Sequence, residues 1–221
     1  MATFTQRITE LIGSEYTTIA SNSQTDLINS AINEVADTLP IDLLLKYVHY
    51  KTDITSAGLD NPEEKKILLV TREVANSGTE VRECNPIPFK DFLKAQDSTS
   101  LYFATAESPV YTYDITTATD PKIKIAPVPD VNQIGTVWHF NYHTADPSSL
   151  SNIPGLPDAC LQAVILKSCI NILQTYISDQ VQDEEDVEIQ NMLNNQLISL
   201  QNLYTQEIAR FVEQDSIPRG E

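Results

Sequence analysis

The sequence predicts an α+β protein: a helical bundle drawn from both chain ends, with an antiparallel β insertion in the middle. Two observations carry this. Apolar residues recur at helical spacing through the first 50 and roughly the last 75 residues, whereas between Lys65 and His143 the apolar period falls to two. The corresponding divisions are N-terminal helices over 1–63, a β-rich insertion over 64–145, and C-terminal helices over 146–221. At 221 residues with 41% hydrophobic content, the chain can fill one good-sized core or two small ones.

The N-terminal elements follow from local signals. Phe4, Ile8, Leu11 and Ile12 share a helical face, opened by a Thr3-x-x-Gln6 capping box and closed by Gly13. A second helix begins near Ser23 and carries the stripe Leu27, Ile28, Ala31, Ile32, Val35, Leu39. Pro40 breaks it, and Ile41 begins another turn or two.

In the middle block, β-branched and aromatic residues alternate between Pro, Gly and Asp punctuation. This predicts strands over 66–74, 79–84, 101–105, 109–115, 121–126 and 136–143. Phe89, Phe92 and Leu93, after Pro86-Ile87-Pro88, predict a short helical turn between strands. The connections are too short for crossover helices, hence one small antiparallel sheet. In the last strand Trp138, Phe140 and Tyr142 occupy even positions and His139, Asn141 and His143 odd ones, which predicts a half-buried strand with its aromatics inward.

Helix resumes after Pro154-Gly155-Leu156-Pro157, with Asp158 in its first turn. Its apolar residues, from Leu161 to Ile177, cover more than one face, so this helix should be central. A last long helix opens at Asp183-Glu184-Glu185-Asp186 and runs to about Glu213. Its stripe of Ile189, Leu193, Leu197, Leu200, Tyr204, Ile208 and Phe211 advances about 3.7 residues per step, close to a straight-helix period.

Charge and composition exclude several functions. The net charge is −17, and residues 46–124 hold ten Lys/Arg against twelve Asp/Glu, so −15 falls on the two helical ends. Residues 168–209 contain no Lys or Arg and seven Asp/Glu. Such a surface repels phosphate and argues against nucleic-acid binding by counterion release. The longest uninterrupted apolar runs are four residues, so no membrane span is expected. The first 45 residues hold one basic residue, Arg7, which predicts neither a secretory signal nor a transit peptide.

The sequence carries no motif with a recognisable catalytic or metal-binding chemistry. The six glycines are too dispersed for a phosphate loop or a nucleophile elbow. On a strand, His139 and His143 would sit about 13 Å apart, too far to share a metal ion, and are expected to face solvent. The acidic run from Asp179 to Glu188 lacks the spacing and mid-loop glycine of an EF-hand and reads as a solvated helix start. Trp138, Phe140, Tyr142, Tyr111 and Tyr113 have no interleaved Lys or Arg, so core packing is expected rather than a stacking platform. Cys84, Cys160 and Cys169 are expected to be buried, reduced thiols. No catalytic, metal or cofactor-binding residue is assigned.

One stretch has a further likeness. The strand 121–130 (PKIKIAPVPD), the strand 136–143 (TVWHFNYH), a loop through Leu150, and 153–158 (IPGLPD) opening an apolar helix together resemble the head-to-tail adaptor, or connector, proteins of tailed bacteriophages. The likeness extends back to the helix with its Pro40 break and forward to the long C-terminal helix. It implies a virion protein at the capsid portal vertex, assembled in the host cytoplasm as a ring, typically of twelve subunits. The ring would lie under the portal protein, extend the DNA channel without binding DNA specifically, and dock the tail or its tube or nozzle protein. Such proteins have no active site. At the chain end Phe211, Val212, Ile217, Pro218 and Arg219, apolar residues with a lone Arg among acids, suit either a segment that orders against the portal or a frayed terminus in which Phe211 closes the bundle core. Other readings are a different neck component, such as a head-closure or tail-completion protein, or a small enzyme using Cys84 or scattered carboxylates.

Overall fold

The computed structural model describes residues 3–13, 21–47, 50–54, 58–60, 62–74, 80–114, 121–130, 132–145, 152–180 and 187–215. The chain is an α+β protein whose contacts divide it into two compact units. Met1–Tyr47 and Tyr142–Glu221 form one, and Val48–Asn141 the other.

The helical unit contains α1 (Phe4–Ile12), α2 (Ser21–Thr38), α3 (Ile41–Tyr47), α5 (Leu161–Gln180) and α6 (Val187–Asp215). The expected capping box is present: the Thr3 hydroxyl accepts from the Gln6 amide at 3.4 Å, and the Gln6 side chain accepts from the Thr3 amide at 2.9 Å. Gly13 closes α1 at φ 71°, a left-handed value that glycine adopts without strain. Pro40 cannot continue α2, and α3 starts at the next residue.

Helix α5 packs against α1, α2 and α6. Its Ala163, Val164, Ile165, Cys169, Ile172 and Leu173 are buried, as a helix apolar on several faces requires. By length and composition, residues Asp158–Asp179 would suffice to cross a membrane, a property that the short apolar runs concealed. Their most apolar window is, however, 61% buried inside the fold, as expected of a core helix. Polar contacts fix the helix pairs. The Lys167 ammonium pairs with Glu34 of α2 at 2.7 Å and lies 5.8 Å above the Tyr204 ring of α6. Asn171 donates to the Leu27 carbonyl and Gln196 to that of Leu11. Where the chain returns, the Asn33 amide group exchanges hydrogen bonds with the His143 backbone, and the Tyr142 hydroxyl donates to Asp37.

The β unit corrects two expectations. It holds two four-stranded sheets rather than one, and it is not wholly antiparallel. The first sheet has the order β1 (Lys51–Ile54), β8 (Gly135–Asn141), β3 (Lys65–Glu73), β4 (Val81–Glu83), all antiparallel. The second has the order β2 (Leu59–Asp60), β7 (Lys122–Ala126), β6 (Val110–Asp114), β5 (Asn85–Pro86), and its β5 and β6 run parallel. The segment between these two strands contains α4 (Phe89–Ala95), long enough to bring the chain back in the same direction. Residues 51–54 and 59–60, expected to belong with the N-terminal helices, are sheet strands because β1 pairs with β8 and β2 with β7. Residues 101 and 102 form a turn and 103–105 belong to no strand, Thr105 making only an isolated bridge to Ser108.

The sheets face each other across Ile54, Val70 and Val137 on one side and Leu59, Ile123 and Ile125 on the other, with Cys84 among them. At Gly135 there is no room for a side chain: a Cβ would lie 2.7 Å from Ile125 Cδ1 and 3.1 Å from Ile54 Cγ1. Arg72 is buried beside this core, and each of its three guanidinium nitrogens donates a hydrogen bond: to the Pro127 carbonyl, the Glu73 carbonyl and Gln133 Oε1. These bonds tie the 127–133 loop to β3.

Two substitutions test this packing. Gly135→Val should destabilise the protein by about 1–3 kcal/mol through overpacking. Leu173→Ala, at a fully buried α5 position, should cost about 2–5 kcal/mol. Urea denaturation with an unchanged midpoint in either variant would contradict the packing described.

Candidate functional site

The orientation of β8 decides which groups reach the surface. Val137 pairs with Val70 and points into the inter-sheet core, so Gly135, Val137 and His139 face inward. Alternation then turns Thr136 and Trp138 outward. This inverts the expected parity, in which aromatics faced the core and His139 faced solvent. Only Phe140 among the even positions of β8 is buried. The β-branched Val137 and the small Gly135 allow the two sheets to close, which Trp138 at the same depth would prevent. Of the other aromatics expected in the core, Tyr111 packs against it and Tyr113 is 45% exposed.

The outward face of the first sheet forms a groove of about 290 Å³. Its floor is Trp138, Leu69 and Thr71; Lys51 closes one side, and Glu73 and Val81 the other. The Lys51 ammonium lies 5.9 Å over the Trp138 ring. Glu73 accepts from the Ile134 amide, which holds its carboxylate at the rim. The groove is therefore apolar in its floor and oppositely charged at its two sides. It is sized for one or two side chains rather than for a drug-sized ligand.

A second exposed feature follows α4. Leu93 is 57% exposed, Leu101 fully, Tyr102 70% and Phe103 43%. This concentration of apolar surface on one short turn is unlike scattered exposed residues.

The other sequence-derived candidates fall as follows. His139 is buried; its Nε2 lies 3.0 Å from the Thr52 hydroxyl and its ring stacks on Tyr50. Burial, with Lys65 nearby, holds its pKa below the usual histidine value. His143 lies beyond the end of β8 and is likewise lowered by burial, and His49 is outside the described residues. Cys84, Cys160 and Cys169 are free and buried, and burial pushes each thiol up to about 12. A nucleophilic Cys84 would need the thiolate, which this environment disfavours. The buried carboxylate Asp114 pairs with Lys124. No group of three or more metal-ligating side chains occurs among the described residues. Phe211 is buried within α6 and Val212 continues that helix, while Ile217, Pro218 and Arg219 lie outside the described residues, as does the acidic run from Asp183 to Asp186.

Sequence reasoning missed the groove and the turn. The signal for the turn was Asp97 with Thr99 and Ser100, hydrogen-bonding residues that favour turns over strands. The groove had no sequence signal, since it depends on which face of β8 is inside. Comparison with protein-family models finds no match for the chain, and comparison with curated proteins finds none.

Two measurements follow from the buried groups. A thiol reagent at pH 8 should label none of the three cysteines in the native protein and all three after denaturation; rapid native labelling of Cys84 would contradict its burial. For His139 the folded pKa lies below the unfolded value of about 6.5. The unfolded chain therefore binds more protons below that pH. Stability should be complete above about pH 6.5 and fall as the pH drops below it, by at most about 1.4 kcal/mol per pH unit for one such histidine. Chemical denaturation across this window should show a shallower fall in His139→Gln than in the parent protein.

Proposed function

We propose that this chain is a structural virion subunit, a head-to-tail adaptor that assembles as a ring under a portal protein. There it extends the DNA channel and offers a docking surface to the tail. The observation that carries this reading is the division of the chain. Both chain ends contribute to one helical unit, and the β strands occupy the stretch between them. In this reading the helices form a bundle drawn from both ends with the β unit as its insertion, the arrangement implied by the phage-adaptor likeness of residues 121–158.

Electrostatics support a channel role. The long α6 is exposed along much of its length, and Arg210, its one cation, pairs with Glu207. In α5 the single cation, Lys167, is held by Glu34. These helices offer duplex phosphates little to bind, and a wall that repels DNA lets it slide. With Phe211 buried in the helical unit, contact with the portal falls to Val212, Ile217, Pro218 and Arg219.

The test is native mass, alone and mixed with a portal ring. A closed ring of twelve would weigh about 295 kDa, twelve times 24.6 kDa. A chain that stays monomeric and also fails to join a portal would refute the reading. Duplex DNA at physiological salt should not shift in a mobility assay; tight, salt-sensitive binding would overturn the channel argument.

A further inference from the structure

We propose that copies of this chain associate head to tail through the β unit, with the Leu101-Tyr102-Phe103 turn of one copy seated in the Trp138 groove of the next. This deepens the ring reading, and rests on it only for closure of the assembly; the contact itself is argued from the two surfaces.

The turn is built to project. Phe92 and Ala95 of α4 pack with Ala104 and Ala126, and Val110 lies against the same cluster. In β7, Ile123 and Ile125 face the inter-sheet core, so Ala126 of this cluster covers the opposite side of the second sheet. Beyond α4 the chain is fixed by its own hydrogen bonds. Asp97 Oδ1 accepts from the Thr99 amide at 2.9 Å and its hydroxyl at 2.7 Å. The Ser100 hydroxyl accepts from the Tyr102 amide, the Ser100 carbonyl from the Phe103 amide, and the Ala95 carbonyl from the Ala104 amide. Leu101 and Tyr102 are thus presented on an ordered backbone that loses little freedom when it docks.

The groove lies on the other side of the same unit. Leu69, Thr71 and Trp138 point away from the inter-sheet core that Val70 and Val137 enter. Turn and groove therefore occupy opposite outer faces, one beyond the second sheet and one beyond the first. A copy cannot fill its own groove. Nor can a two-fold dimer satisfy both features, since that requires turn and groove on one surface; the association must be heterologous, with each copy using one face for each neighbour.

Shape and charge are matched. The groove accommodates one or two side chains, and the turn offers a fully exposed leucine followed by a tyrosine. Beside the turn stands the exposed Lys94, its ammonium 5.6 Å over the Tyr102 ring and ion-paired with Asp91 of its own helix. On the β4 side of the groove stand Glu73 and, on the Val81 face of that strand, Glu83. Asp97 at the base of the turn has Lys51 as its counterpart on the β1 side.

The experiment uses two full-length variants. Leu101→Ser/Tyr102→Ser removes the turn's apolar surface but keeps the groove; Thr71→Arg fills the groove but keeps the turn. In sedimentation velocity the parent chain should self-associate, and each variant alone should do so at least about tenfold more weakly, with an unchanged melting temperature. An equimolar mixture should form a one-to-one dimer and nothing larger, because one intact turn and one intact groove remain. If Thr71→Arg impairs folding, Val81→Lys at the exposed rim replaces it. A parent chain monomeric at millimolar concentration, variants that associate as the parent does, or a mixture that yields no dimer would overturn the proposal. Rings that persist in both variants would overturn this contact and leave the adaptor reading standing. Open filaments abolished by either variant would do the reverse.

Discussion

The inward orientation of Val137 is the constraint on which the β unit depends. Between β1 and β3, a one-residue slip of β8 would exchange every side chain between its two faces. Trp138 would then enter the narrow space that Gly135 keeps open, where Ile125 and Ile54 already approach to van der Waals limits. The pairs Val137 with Val70 and Trp138 with Leu69 fix the alternative that fits. From that one choice follow the burial of His139, its contact with Thr52, and the outward groove around Trp138. The groove is thus the outward side of the same strand whose inward side closes the core.

In the helical unit the comparable role belongs to α5. Its apolar residues surround the helix, so it needs neighbours on several sides, and α1, α2 and α6 supply them. Burial alone would allow these helices to slide. Lys167 restricts this, because its ammonium is held by a carboxylate on α2 while its position over Tyr204 engages α6. Asn171 and Gln196 add directional bonds to the backbones of α2 and α1. Together these few polar contacts join α5 to α2, α5 to α6 and α6 to α1.

The parts legible in the sequence were those with redundant signals. Helix α1 had a stripe, a capping box and a terminal glycine; α5 had a dense apolar composition; β3, β6, β7 and β8 had alternation bounded by turn residues. Strands β1, β2 and β5 were missed because two to four residues cannot display a period, and their pairing is set by distant partners. Residues 101–105 were misread because Leu101, Tyr102 and Phe103 favour strands by propensity, while Asp97, Thr99 and Ser100 fix a turn through hydrogen bonds. The groove was illegible for a different reason. Both parities of β8 contain residues fit for a core, Val137 on one and Trp138 and Phe140 on the other, and only packing against Ile125 and Ile54 selects between them.

The distribution of charge bears on how such a chain can meet others of its kind. The β unit holds nine Lys/Arg against thirteen Asp/Glu, net −4, which leaves −13 on the helical unit. Two helical units approaching within a Debye length, about 8 Å at physiological salt, would repel across their whole surfaces. Helix-to-helix association between copies is therefore opposed wherever apolar residues such as Met192 and Leu203 are exposed among acids. The β unit has no such barrier of comparable size. Its exposed cations Lys51 and Lys94 lie beside its two apolar features, Lys51 over the Trp138 ring and Lys94 over that of Tyr102. In the proposed association, acidity on the helices and near-balance on the sheets would act together as a filter, opposing contact between helical units while leaving the apolar surface of the β unit accessible.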